Sequence, residues 1–312
     1  MKEALSETLK GIIVPLVTPL SENGEIDTKG LKNLIEHVIR GGVHGIFILG
    51  TTGEAPSLSK KQREEMICET SRIVGNRLPL LVGISDTTMG DSILLAQRAK
   101  EAGAYAVVAT APYYFAVSQS ELIAYFENLI HRLPLPLFLY NMPVHTKVTF
   151  DPETIKHLAQ YDQVVGFKDS SANGTYLQTV IYIMKENPDF MIFVGPEEMT
   201  AEMVLMGVNG GVNGGANLFP ELYVELYDAA RNHDIEKVKM LQQKVMRIST
   251  DIYSQSNDAS AYLKGLKCAM SVAGICHDFP AMPFTQFNKE YRSRIKKEMT
   301  EIGKMLRKDS PS

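Results

Sequence analysis

The feature of this sequence that most constrains its fold is a series of eight short apolar runs, spaced about 28 residues apart on average. The runs lie at residues 12–17, 45–49, 80–84, 105–109, 135–140, 164–167, 191–194 and 211–213. They are apolar throughout instead of alternating, which is typical of strands buried on both faces of a parallel sheet. Segments of helical period separate them, so each repeat has the length of one βα unit.

Eight such units predict an α/β fold, the (β/α)8 TIM barrel. The alternative is a doubly wound open sheet, which usually carries a glycine-rich turn after its first strand. Here the end of the first run and the turn after it, residues 15–19, contain no glycine. The sequence therefore favours the barrel.

The strand pattern stops near residue 230 and only helical patterns follow. Apolar residues form one helical stripe, and residues 258–273 and 285–306 also have a helical pattern; the stripe consists of Ile235, Val238, Leu241, Val245 and Ile248. The sequence predicts a barrel over residues 1–230 and an appended C-terminal helical layer over residues 231–312, packed on the barrel.

Composition excludes several classes of partner. The chain has 32 basic and 36 acidic residues and no strongly basic run, so we expect no nucleic-acid partner. No apolar stretch approaches the 18–20 residues of a membrane span, so we expect no membrane partner. Residues 1–7 lack the apolar region of a signal peptide. The three cysteines form no CxxC pair, which is typical of a cytoplasmic protein.

Two reactive side chains follow neighbouring strands of the predicted barrel. Catalytic residues of such barrels lie at the carboxyl ends of the strands, where Tyr140 and Lys168 are found. Burial disfavours the charged form of a lysine, and a neutral amine can attack a ketone and form a Schiff base. The alternative is a lysine that extends to solvent or pairs with a rim carboxylate such as Asp169.

The second strand ends in Gly50-Thr51-Thr52-Gly53-Glu54. Glycines let the backbone approach a ligand closely, and the threonine hydroxyls suit a carboxylate or a proton relay. The alternative is an ordinary βα turn.

Glycines also crowd the eighth strand, between residues 207 and 215. They suit either a phosphate site, which barrels often place there, or close packing around an extended substrate. The seven histidines show no metal-binding spacing, so we expect no metal.

Four motifs in register identify a family. They are GTTGE at 50–54, PYY at 112–114, YNMP at 140–143 and GFKDSS at 166–171. With these motifs and its helical tail, nearly the whole chain resembles the dihydrodipicolinate synthase and N-acetylneuraminate lyase family of pyruvate-type class I aldolases. The resemblance implies a TIM barrel and a lyase.

The resemblance also implies roles for individual residues. Lys168 would form a Schiff base with pyruvate or another 2-oxo acid, Tyr140 would shuttle protons, and Thr51 would relay to it. Thr52 would bind the pyruvate carboxylate. Tyr114 would reach into a neighbouring subunit's site, which implies a homo-oligomer, a tetramer or a dimer. No cofactor is implied, because the imine through Lys168 supplies the electron sink.

The chain departs from the family's synthases in one loop. Synthases of the lysine pathway usually place an Arg two residues after the YNxP motif, and here His145 stands there. A neutral imidazole lacks the two-pronged donor geometry of a guanidinium. Lys147 also replaces a usual glycine.

The stretch Gly195-Pro196-Glu197-Glu198 resembles the one in which sialic-acid and sugar-acid lyases place acidic residues toward a polyhydroxy chain. Carboxylates accept hydrogen bonds from hydroxyls, so Glu197, with Glu198 beside it, is a candidate substrate contact. The candidate substrate-binding residues are Thr52, Gly50, His145, Glu197 and Asn213.

The sequence therefore predicts a Schiff-base-forming carbon–carbon or carbon–oxygen lyase acting on a small-molecule 2-oxo acid. The preferred interpretation is a 2-oxo-3-deoxy sugar acid aldolase that releases pyruvate. One alternative is a 4-hydroxy-tetrahydrodipicolinate (dihydrodipicolinate) synthase. A second alternative is a homologue that binds a 2-oxo acid without catalysis.

Overall fold

Eight parallel strands close into a barrel in a computed structural model that describes residues 7–308. The strands follow one another around the barrel in chain order, and the eighth pairs with the first. They are β1 Gly11–Pro15, β2 Gly45–Ile48, β3 Leu80–Gly83, β4 Ala106–Thr110, β5 Leu137–Asn141, β6 Val164–Asp169, β7 Met191–Val194 and β8 Gly210–Val212. The predicted TIM barrel is confirmed. The interpretation of residues 1–6 as free of a signal peptide lies outside the described residues.

A helix follows each strand and packs against the outside of the barrel. These helices are α1 Thr28–Arg40, α2 Lys60–Val74, α3 Met89–Glu101, α4 Gln119–Ile130, α5 Pro152–Leu158, α6 Gly174–Met184, α7 Thr200–Leu205 and α8 Pro220–Arg231. Short helical turns lie at Ala55–Ser57, Pro143–Thr146, Glu197–Met199 and Gly214–Asn217. Ser59 and Ser118 begin α2 and α4 with reciprocal side-chain and backbone hydrogen bonds, which satisfy donors that a helix start leaves free.

The strands divide their side chains between two cores because successive residues of a strand point to opposite faces. One set packs inside the barrel; it includes Ile13, Phe47, Leu81, Val108, Phe138, Val165, Phe193 and Val212. The other set, which includes Ile12, Val14 and Ile46, packs outward under the helices. The interior is therefore a filled apolar core, and a polar side chain that enters it has few partners.

Three further helices form the appended C-terminal layer. They are α9 Ile235–Ile248, α10 Ala261–Val272 and α11 Lys289–Lys308, with a π-helical turn at Ser249–Tyr253 between the first two. Leu241, Val245 and Ile248 of the predicted stripe are buried. The division of the chain into two domains at residue 230 stays an interpretation.

Within residues 7–308, no helix has both the length and the apolar character needed to cross a bilayer.

Candidate active site

The barrel places Lys168 and Tyr140 side by side. β5 and β6 pair in a register that sets Tyr140 directly opposite Lys168. The Lys168 side chain is 7% exposed, and its Nζ lies 3.8 Å from the centroid of the Tyr140 ring and 5.0 Å from that of Phe47. Lys168 therefore points into the apolar interior instead of extending to solvent.

A tight turn after β2 brings Thr51 to the same point. The Thr51 hydroxyl lies 3.2 Å from the Tyr140 hydroxyl, within hydrogen-bond distance. A Cβ on Gly50 would lie 2.7 Å from the Phe47 ring, so only glycine fits this position without a shift. The sequence's grouping of Lys168, Tyr140 and Thr51 is reproduced as one contiguous set of side chains.

Tyr140 is electrostatically unusual. Burial alone would raise the pKa of its phenol, but the positive charge of Lys168 and the hydrogen bond with Thr51 outweigh burial. The net pKa of Tyr140 lies below its ordinary value of 10.0. A phenol that ionises more easily than usual is a better acid–base group near neutral pH.

A cavity of about 300 Å³ opens beside this group. Its lining is Phe47, Leu49, Gly50, Thr51, Glu54, Ala55, Pro56, Ser57, Gly83, Ser85, Val108, Thr110, Tyr113, Tyr140, Met142, His145, Thr146 and Phe284. None of these described lining residues is Arg or Lys.

The one imidazole of the described cavity lining belongs to His145. Partial burial lowers the pKa of His145 below 6.5, so its imidazole is neutral at pH 7.

The loop that carries His145 ends at a residue whose backbone conformation favours glycine. Lys147 adopts a left-handed conformation with φ of 60° at the end of the turn Pro143–Thr146. His145, two residues before Lys147, lies on the cavity wall.

Thr52 and Asn213 face protein groups in the structure. The Thr52 hydroxyl lies 3.2 Å from the Tyr262 hydroxyl, and Tyr262 belongs to α10. The Asn213 amide donates to Thr200 Oγ1 at 2.8 Å. Within residues 7–308, neither Thr52 nor Asn213 belongs to the cavity lining, and their predicted contacts with substrate stay predictions.

Glu197 faces protein groups in the structure, as Thr52 and Asn213 do. Its side chain is buried, and it accepts hydrogen bonds from the hydroxyls of Tyr223 and Tyr253 and from the Gly215 amide at 2.7 Å. Burial raises the pKa of Glu197 to about 7. Both carboxylate oxygens accept from these donors, and Glu197 is not among the described residues that line the cavity, so its predicted contact with substrate stays a prediction. Glu198 likewise accepts from the Ser249 hydroxyl.

The glycines near β8 make room for the same tyrosines. A Cβ on Gly214 would lie 1.7 Å from the Tyr262 hydroxyl, and one on Gly215 would lie 1.9 Å from the Tyr223 hydroxyl. Close packing therefore accounts for these two glycines without a phosphate.

Tyr114 lies apart from the cavity of its own chain. It is 72% exposed and packs edge-on against Phe115, which is 76% exposed. The preceding residue, Tyr113, lines the cavity instead. The role of Tyr114 in a neighbouring subunit's site stays a prediction.

Sequence reasoning missed Lys267. This side chain lies on α10, is fully buried, and forms an ion pair with Glu54 of the β2 turn. Glu54 is a cavity-lining residue, and its other oxygen accepts a hydrogen bond from the Ala281 amide at 2.7 Å. The one available sign is that Lys267 lies between the apolar residues Leu266 and Cys268 of a helical stretch, which does not reveal its partner.

Within residues 7–308, no group of three or more His, Cys, Asp or Glu side chains is arranged to hold a metal ion.

The fold and the sequence comparisons define the class of protein. The chain is an enzyme of the lyase class, within the class I pyruvate-dependent aldolases and synthases. More specifically, the model of the dihydrodipicolinate synthetase family matches residues 8–302, and the chain belongs to this family.

Three members of the family illustrate how similar this chain is to known proteins in sequence and in structure. A curated 4-hydroxy-tetrahydrodipicolinate synthase from Herminiimonas arsenicoxydans is 31% identical over 95% of this chain and 99% of the relative. A solved dihydrodipicolinate synthase from Bacteroides thetaiotaomicron is 58% identical, with a TM-score of 0.92, over 94% of this chain and 98% of that chain. YagE, a prophage protein of the dihydrodipicolinic acid synthase family from E. coli K12, solved with pyruvate, is 28% identical, with a TM-score of 0.89, over 95% and 99%.

These comparisons bear on the substrate. The curated relative and the Bacteroides protein both carry the name of a synthase. They therefore support the synthase alternative more than the sugar-acid aldolase that the sequence favoured.

Proposed function

We propose that Lys168 forms an imine with the keto carbon of pyruvate, and that the chain joins pyruvate to an aldehyde through it. The observation that carries the proposal is the buried Lys168 amine beside the Tyr140 ring, with the Thr51 hydroxyl bonded to the Tyr140 phenol. The imine is the electron sink, so the proposed reaction uses no metal or organic cofactor.

Each step of the proposed reaction balances. The Lys168 amine adds to the keto carbon to give a carbinolamine, and Tyr140 donates a proton to its hydroxyl so that water leaves, which gives a protonated imine and the Tyr140 phenolate. The phenolate takes a proton from the pyruvate methyl group, which restores the phenol and gives an enamine, whose carbon attacks the aldehyde carbon. Tyr140, supported by Thr51, donates the proton that the new hydroxyl needs, and cleavage of the imine by water or by an amine of the product frees Lys168. In the lyase direction the same steps run backwards.

For the aldehyde, we propose the partner used by a 4-hydroxy-tetrahydrodipicolinate synthase. The names of the relatives support it. The contacts of Glu197 argue against the sugar-acid alternative. Glu197 is the residue expected to bind the hydroxyls of a polyhydroxy chain. Its carboxylate already accepts hydrogen bonds from Tyr223, Tyr253 and Gly215.

A second candidate is the 2-oxo-3-deoxy sugar acid aldolase. The observation that favours it is the charge of the cavity: the described lining residues include no Arg or Lys, and the His145 imidazole is neutral. A carboxylate on the aldehyde would have no cationic partner there. An uncharged hydroxyaldehyde could instead bond to hydroxyls such as those of Ser85 and Thr110.

One pair of assays separates the candidates. The purified chain is given pyruvate with L-aspartate 4-semialdehyde and, separately, a 2-oxo-3-deoxy sugar acid whose cleavage releases pyruvate. We expect turnover in the first assay and none in the second, and loss of turnover in Lys168→Ala. Turnover only in the second assay would establish the aldolase instead. Pyruvate binding without turnover or a trappable imine would establish the non-catalytic alternative.

A further inference from the structure

One wall of the cavity comes from the C-terminal layer. Among the described lining residues, Phe284 alone comes from beyond residue 146. Phe284 belongs to residues 273–288, an irregular segment between α10 and α11 that we call the strap. The layer thus contributes an aromatic ring directly to the cavity that opens beside Tyr140 and Thr51.

The buried ion pair holds the strap against the β2 turn. Lys267 Nζ donates to the Phe279 carbonyl at 2.7 Å and to the Thr18 carbonyl at 3.0 Å, in addition to its bond with Glu54. Glu54 accepts from the Ala281 amide of the strap at 2.7 Å. Two backbone groups of the strap are therefore fixed by a pair of charges that are buried completely.

Further contacts close the strap on itself. Asp278 near its start accepts from Gln286 at 2.8 Å and from Arg292 of α11 at 2.6 Å. The Phe284 amide donates to the Ala281 carbonyl at 3.1 Å, which forms a turn. In this turn Met282 is 75% exposed while Phe284 is half-buried against the cavity. The turn thus places Phe284, and not Met282, against the cavity.

From this arrangement we infer that Phe284 determines substrate specificity, by limiting the length of the chain that extends from the imine. The inference rests on the proposed function, because it places the substrate's keto carbon at Lys168. Atoms beyond carbon 3 of a bound 2-oxo acid occupy the room that the aldehyde takes, and the Phe284 ring bounds that room. Lys267 and Glu54 are positioning residues that act through the strap.

The test uses unbranched 2-oxo acids of increasing length, so the natural aldehyde need not be known. Pyruvate, 2-oxobutyrate, 2-oxopentanoate and 2-oxohexanoate are each incubated with the full chain, reduced with borohydride, and quantified as protein adducts by intact mass. Phe284→Ala removes the ring and Phe284→Leu shortens it. Met282→Ala, on the same turn but exposed to solvent, is the matched control.

In Phe284→Ala we expect the ratio of the 2-oxohexanoate adduct to the pyruvate adduct to rise at least about tenfold, since one methylene in a pocket changes selectivity by about 10–200-fold. Phe284→Leu should give a smaller rise. Lys267→Met should move the ratio in the same direction, because the strap loses its anchor. Met282→Ala should leave the ratio at the parent value.

Three results would overturn the inference. An unchanged ratio in both Phe284 variants, with a normal pyruvate adduct, would overturn it alone, as would an equal rise in Met282→Ala. A folded parent chain that forms no adduct with any of the four acids would overturn the proposed function, and this inference with it.

Discussion

At the scale of single residues, the chemistry depends on what surrounds the Tyr140 phenol. Its neighbours are a lysine amine, a threonine hydroxyl and the Phe47 ring, whose centroid lies 6.3 Å from that of Tyr140. Burial raises the pKa of an isolated phenol, and here the charge of Lys168 and the bond with Thr51 reverse that effect. The group is therefore suited to proton transfer in a site that excludes much of the solvent.

Tyr140→Phe removes only the hydroxyl and keeps the ring that contacts Lys168. We expect kcat to fall about 10²–10⁴-fold, which is the usual contribution of a positioned acid–base group. Tyr113→Phe, a change of the same kind in the same cavity, should alter kcat by less than about tenfold. Steady-state kinetics on the assigned substrate measure both. A kcat within threefold of the parent in Tyr140→Phe would remove Tyr140 from the proton-transfer steps.

The proximity of Lys168, Tyr140 and Thr51 could be predicted from the sequence, whereas the contacts of Glu197 could not. Lys168, Tyr140 and Thr51 directly follow or end recognisable strands, so their convergence follows from the barrel alone. Glu197 begins a short helical turn after β7, and its direction depends on Tyr223 and Tyr253. Those tyrosines lie 26 and 56 residues further along the chain, and a local sequence pattern does not reveal contacts between residues so far apart.

At the scale of elements, apolar runs locate all eight strands but misplace some of their ends. The sixth run stops at Phe167 because lysine is not apolar, while β6 continues through Lys168 to Asp169. The backbone ladder continues because Lys168 pairs with Tyr140 on one side and Phe193 on the other. The prediction of helices at 258–273 and 285–306 is also close to α10 and α11, although irregular residues delay the start of α11.

Glu197 joins three elements, namely the turn after β7, helix α8 and the π-helical turn before α10. Its pKa rises from 4.5 to about 7 on folding, because burial favours the protonated acid. Its contribution to stability is therefore complete below pH 4.5 and is lost as the pH rises through 7. The loss amounts to about 3 kcal/mol, at about 1.4 kcal/mol for each pKa unit.

We therefore expect Glu197→Gln to flatten the pH dependence of stability. Between pH 5 and pH 8 the unfolding free energy of the variant should fall by less than that of the parent, by an amount on the order of 3 kcal/mol. Denaturant titrations at several pH values measure it. Glu202→Gln, which removes an exposed carboxylate of α7, should keep the parent's slope. An unchanged slope in Glu197→Gln would show that Glu197 does not titrate in this range.

At the scale of the whole molecule, the C-terminal layer is coupled to the barrel by contacts that are distant in sequence. Lys267 bonds to Glu54 across 213 residues, and Tyr262 contacts Thr52 across 210. The sequence predicts that helices pack on the barrel, because their apolar stripes need cover. It does not predict which polar groups of α10 reach the β2 turn, because that depends on the angle of packing.

Lys267→Met should destabilise the chain by about 3–5 kcal/mol, because it leaves the Glu54 carboxylate buried without its counter-charge. The double variant Glu54→Gln/Lys267→Met should recover part of this loss, since no buried charge remains. Lys264 lies on the same helix as Lys267 and pairs with the exposed Asp258, which precedes that helix; Lys264→Met should cost about 1 kcal/mol or less. Equilibrium unfolding tests all three. Equal losses in Lys267→Met and Lys264→Met would contradict the role given to the buried pair.

We expect the chain to form a homo-oligomer, a tetramer or a dimer, as the resemblance implies. Tyr114 and Phe115 are adjacent, largely exposed aromatic side chains, and exposed apolar patches often mark interaction sites. Sedimentation velocity should show the oligomer for the parent and a smaller species for Tyr114→Ser/Phe115→Ser. Tyr182→Ser, at another exposed tyrosine, should leave the oligomer intact. A monomeric parent would refute the expectation.

The most direct test of the central claim is to locate the covalent adduct. The folded chain is incubated with pyruvate, reduced with borohydride, digested, and mapped by mass spectrometry, so that every other lysine serves as an internal control. The account predicts one pyruvyl group on Lys168 and no adduct in Lys168→Ala. A modified lysine elsewhere, or an adduct that persists in Lys168→Ala, would contradict the assignment of the imine to Lys168.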